Sequence, residues 1–271
     1  MNEQNFAYLK DNIKYMGFGE KLFTDLENGL KSGAATFQLS QVTEVNKKPY
    51  EATLNFRRSE ASDMYFFNSY HASLRHTNGE TKDQVFYLTK GKGITAKESF
   101  NLLEGRAVFK ELSNKAGEPY KAWVQLDFDR KDKHNNHEMK QYHEAYGYDL
   151  KAALSKYAIS DLDGGDREKA LLQSLQKGNI QSVAVGNDVG VIKMFIEANP
   201  QYKTVTLYDS EMKRVPKESL EQYLKPERAQ VKEVGKDQKQ DISSDNKQKT
   251  SKSLETQKPS RSRSKNRSAS L

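Results

Sequence analysis

The sequence predicts an α+β protein made of three related units, each a helix packed on a small antiparallel β-meander, followed by a disordered C-terminal tail. Three observations carry this reading. A Leu-x-x-Gly step recurs at Leu30–Gly33, Leu102–Gly105 and Leu175–Gly178, with the glycines 72 and 73 residues apart. Strictly alternating stretches follow the first two of these glycines. The composition then changes near Lys225, where aromatic residues stop.

The units divide the chain into 1–90, with a helical N-terminus and the first copy, then 91–160, 161–224 and the tail 225–271. The recurring glycine is expected at a helix C-terminus, where a left-handed residue ends the helix at little steric cost. Helices are predicted over Phe6–Tyr15, Glu20–Lys31, Ala96–Glu104, Leu150–Tyr157 and Arg167–Lys177, the last capped by Asp166. First strands are predicted at Ala35–Val42, Ala107–Leu112 and Ile180–Val185. The turns that follow contain Asn46–Pro49, Asn114–Pro119 and Gly186–Gly190.

Second strands show the sheet period. Ala52, Leu54 and Phe56 alternate with Glu51, Thr53, Asn55 and Arg57. Ala122, Val124, Leu126 and Phe128 alternate with Lys121, Trp123, Gln125 and Asp127. That pattern predicts one dry face and one wet face. Third strands are expected at Met64–Tyr70, near Met139–Tyr146 and at Lys203–Tyr208, with Val85–Leu88 as a fourth strand in the first copy. A last helical turn is expected at Leu220–Tyr223.

Charge is unevenly placed. The net charge of +7 lies wholly in residues 225–271, which hold 13 Lys and Arg against 6 Asp and Glu; residues 1–224 hold 31 of each sign. A neutral body argues against a large electrostatic nucleic-acid surface. Within the tail, Arg261, Arg263, Lys265 and Arg267 alternate with serine or asparagine. They are candidate nucleic-acid contacts that would gain affinity by counterion release, or else a solubilising terminus.

Other chemistry is narrowed by what is missing. The chain has no cysteine, which removes disulfides and thiolate sites. No apolar run reaches the ~20 residues needed to span a bilayer, and the first residues are too polar for a signal peptide, so a soluble cytoplasmic protein without a membrane partner is expected. P-loop, GxGxxG and GxSxG patterns are absent. His134, His137 and His143 lie close in sequence but without the spacing of a helical zinc site, so a solvated loop is the expected reading. Asp161–Asp166 lacks a calcium-loop ligand frame and reads as a helix–helix connection. No cofactor, metal ligand or catalytic residue is assigned, and the chain is read as a non-enzyme. Trp123, the only tryptophan, falls on the polar side of its strand with Phe195 at the matching place in the third unit. Both are candidate interaction anchors, although cover by a neighbouring unit is the favoured reading of Trp123.

Several phrases are specific: KYMGFGEKL, EATLNFRRSEASDMYFFNSYHASL, NLLEGRAVFKELSNKAGEPYKAWVQLDF, SLQKGN and MFIEANPQYKTVTLYDSEMKR. Over roughly residues 4–215 the chain resembles a Bacteroidetes family that carries a domain of unknown function and is encoded on conjugative transposons and related mobile elements. The resemblance implies an accessory role and, as partner, another protein of such an element. It supplies no site residues. Two functions follow as expectations: a non-catalytic protein-interaction scaffold, or a nucleic-acid-binding accessory protein whose tail contacts DNA or RNA.

Overall fold

Helix α1 (Glu3–Tyr15) opens the chain in a computed structural model that describes residues 1–114, 116–187 and 190–225. Asn2 caps it, its side chain accepting the N–H of Asn5 at 3.0 Å. Helix α2 (Phe23–Lys31) follows, and then a four-stranded antiparallel sheet in the order β1 (Thr36–Val45), β2 (Lys48–Arg58), β3 (Tyr65–Arg75), β4 (Thr81–Tyr87). Helix α3 (Ala96–Leu103) leads to a second sheet, β5 (Val108–Ser113), β6 (Pro119–Lys131) and β7 (His137–His143). Helices α4 (Leu150–Leu154) and α5 (Asp166–Gln176) lead to a third, in which β9 (Gly190–Asn199) lies between β8 (Gln181–Asn187) and β10 (Thr204–Tyr208).

The protein is therefore α+β with three small antiparallel sheets, each strand hydrogen-bonded to its sequence neighbour. Short turns make such meanders inexpensive to form. Asn46 and Lys47 both take positive φ in the two-residue turn between β1 and β2, the conformation that matches strand twist. Asn114 organises the next hairpin through its side chain, which accepts N–H bonds from Ala116 and Glu118, both at 2.9 Å.

The three Leu-x-x-Gly steps share one local geometry. Helices α2, α3 and α5 each end two residues before the glycine, and β1, β5 and β8 each begin three residues after it. Gly33, Gly105 and Gly178 all have positive φ, and each donates its N–H to the carbonyl of the leucine three residues earlier. The leucines Leu30, Leu102 and Leu175 are buried.

Element ends differ modestly from expectation. Gly165, not Asp166, occupies the cap of α5, and Asp166 begins the helix. Helix α4 stops at Leu154, and β7 ends at His143 before a 3-10 turn over Glu144–Tyr146. Strand β4 is longer than the expected Val85–Leu88. The tail lies outside the described residues.

Two hydrophobic cores form within these residues. The first joins Leu9, Ile13, Leu26 and Leu30 of α1 and α2 to the inner face of the four-stranded sheet and to Phe100, Leu102 and Leu103 of α3. The second joins Leu154, Leu171 and Leu175 of α4 and α5 to Val183, Met194, Ile196, Val205 and Leu207 of the third sheet. The middle sheet serves both. Val108, Val124 and Leu126 enter the first core, while Trp123 and the neighbouring Ala107 enter the second. The polar side of β6 is not uniformly wet: Trp123 is buried in the second core, the cover favoured for it from sequence, and Asp127 is buried with Lys140 reaching its carboxylate at 2.9 Å.

Candidate interaction surface

One broad face of the described fold is left open by the packing. Helices α1, α2 and α3 occupy one side of the four-stranded sheet, where Leu39, Leu54, Tyr70 and Phe86 are buried. Strand alternation sends the intervening residues to the other side. There they form three rows: Gln38, Asn55, Ser69 and Tyr87; Ser40, Thr53, His71 and Val85; Val42, Glu51, Ser73 and Asp83. None of these side chains is buried.

Cross-strand bonds tie the rows together. Gln38 donates to Asn55 Oδ1 at 2.8 Å, Asn55 donates to Ser69 Oγ at 3.2 Å, and the His71 ring meets Asp83 at 3.2 Å. The face combines small hydroxyl and amide groups with exposed Val42 and Tyr87. Such a surface can exchange hydrogen bonds and apolar area with a partner without a deep pocket.

Behind this sheet lies a partly buried polar junction. Glu104, at the C-terminal end of α3, meets the unfavourable end of the helix dipole and is offset by cations. Lys48 donates to both its oxygens at 2.8 Å, Arg106 reaches Oε2 at 3.4 Å, and His76 Nδ1 lies 3.5 Å from Oε1. Arg106 also donates to the Gly178 carbonyl at 2.9 Å and to Asn101 Oδ1 at 2.6 Å, while Asn101 donates to the Lys177 carbonyl at 2.6 Å. Residues from all three helix–sheet segments therefore meet here. Burial pushes Arg106 below its ordinary value, against the pull of Glu104 and Glu197. Burial likewise raises the Glu197 carboxyl, although Tyr208 donates to it at 2.7 Å. Every charge of the junction is engaged in holding elements together, and the arrangement reads as structural.

The residues singled out from sequence fall in different places. Trp123 is 5% exposed and packs between Phe109 and Tyr148, at ring-centroid distances of 5.4 Å each. It therefore packs into the second core. Phe195 is half-buried with the Lys193 ammonium 5.4 Å from its ring. Arg261, Arg263, Lys265 and Arg267 lie outside the described residues. The histidines separate: His134 is exposed, His137 is buried against Phe128, and the His143 ring lies tilted beside Tyr120. Among the described residues no three His, Asp or Glu side chains converge as metal ligands, and no helix is long and apolar enough to cross a membrane. The open face itself was hidden in the alternation of β2, whose polar positions are its centre. Comparison with known proteins returns nothing: no family model, no curated protein and no solved structure matches the chain.

Proposed function

We propose that this chain is a non-catalytic accessory protein of a conjugative mobile element, acting in the cytoplasm as a protein-interaction scaffold. The observation that carries the reading is the open face of the four-stranded sheet, with its three rows of unburied, mostly uncharged side chains. The phrase-level resemblance supports the mobile-element setting. In this reading the segments 1–90, 91–160 and 161–224 are copies of one unit of about 72 residues, supported by the shared Leu-x-x-Gly geometry. The partner is another protein of the element. Replacing Thr53, Ser69 and Ser73 together by arginine is expected to abolish its capture from the native host, while Tyr202→Arg, an exposed control, retains it. Equal capture by both variants would remove the face as the site.

The charge partition favours a second reading, in which the tail binds nucleic acid. Binding by the full chain should then fall steeply with salt and vanish on truncation after residue 224. Tight binding by the truncated chain would place the contact elsewhere.

A further inference from the structure

Strand β1 forms the outer edge of the four-stranded sheet. Its backbone phase follows from the hairpin. The Arg58 N–H bonds the Ala35 carbonyl at 2.9 Å, and the two-residue turn sets Val45 opposite Lys48. The odd-numbered residues of β1 therefore face β2, and Thr36, Gln38, Ser40, Val42 and Glu44 turn their N–H and C=O groups outward. Among the described residues, no backbone bond from outside β2 reaches Thr36–Val45.

Edges of this kind are ordinarily blunted by lysine, proline, bulges or cover. Three of the other edges among the described residues are covered. Strand β8 is met by the segment around Ile159, through Ser160 N–H to the Ala184 carbonyl and Gly186 N–H to the Ala158 carbonyl. Strand β10 receives Val215 N–H at its Leu207 carbonyl. At β4 the Val85 N–H is taken by Asn136 Oδ1, and the Gln84 side chain bonds both the N–H and the C=O of His137. Strand β1 has ten residues with no Lys, Arg or Pro, and its Val42 is 71% exposed.

We propose that β1 pairs antiparallel with β1 of a second copy across a two-fold axis, joining the two four-stranded sheets into one of eight. Charge and register favour a second copy as the occupant. A two-fold axis at Ser40 sets Thr36 opposite Glu44 and Gln38 opposite Val42, so that all the outward residues find partners. Glu44 is the only charged residue of the strand, and antiparallel pairing holds the two copies of it about 27 Å apart, eight residues at ~3.4 Å each. The exposed valine gains a neighbour on the same face. This inference stands on the edge alone and is independent of what binds the open face.

The test is the solution mass of the full chain by light scattering and sedimentation. Twice 31.0 kDa is expected for the native sequence. Ser40→Pro removes an outward N–H and Val42→Lys places a charge at the seam; each is expected to weaken the dimer at least tenfold and shift the mass to 31.0 kDa, with an unchanged circular dichroism spectrum. Val191→Lys, at an exposed valine of β9, should stay dimeric. A native chain that is monomeric at its highest soluble concentration overturns the proposal, and so does a dimer that survives Val42→Lys. A monomer whose β1 edge instead captures another protein also overturns it.

Discussion

At the residue scale, β6 shows how far alternation can be read. The same period of two that placed Ala52, Leu54 and Phe56 inside correctly placed Val124 and Leu126 inside as well. It also sent Trp123 to the opposite face, which is where the structure has it. Alternation tells which side a residue takes and is silent on what lies beyond that side, so the second core was not legible from the strand. The Glu104 junction was hidden for a related reason, since Lys48 and His76 are brought to it from distant parts of the chain and the neighbouring Arg106 reaches on to the remote Gly178 carbonyl. Glu197 belongs to the same class. Its carboxyl is raised by burial, so its ionisation opposes folding: the penalty is absent below the unfolded value, grows as pH rises and is complete above the folded value. Glu197→Gln is therefore expected to raise the melting temperature at neutral pH and to leave it nearly unchanged near pH 4. Thermal unfolding at the two pH values reads this out.

Helix ends were the most legible elements, because glycine at a left-handed position is a local requirement. Gly33, Gly105 and Gly178 were placed at helix C-termini from spacing alone, and all three have positive φ. Their surroundings are not equivalent. A Cβ on Gly33 would meet open space, whereas on Gly178 it would come within 2.9 Å of the Ala107 carbonyl oxygen and 3.0 Å of Asn101 and Val108. Gly33→Ala should cost about 1 kcal/mol from backbone strain, and Gly178→Ala should exceed it by ~1–3 kcal/mol of overpacking. Denaturant titration of the two variants checks the order. The capping box of α3, in which Thr95 and Glu98 bond each other's backbone N–H, was not read from the sequence although its Thr-x-x-Glu spacing was there.

On the scale of the whole molecule, the middle sheet decides how the fold melts. Its two faces belong to different cores, and Asn101 and Arg106 carry hydrogen bonds from α3 and its C-terminal end to the Lys177–Gly178 turn. Loss of either core exposes a face of β6. Residues 1–225 are therefore expected to unfold in one cooperative step, with Trp123 fluorescence and far-ultraviolet dichroism tracing coincident curves. Two separated transitions would show that the cores melt independently. The sharing of β6 also has a genetic corollary. Lesions on successive residues of this strand should be rescued by different suppressors: a defect at Val124 by second-site changes among residues 9–103, and a defect at Trp123 by changes among residues 148–207.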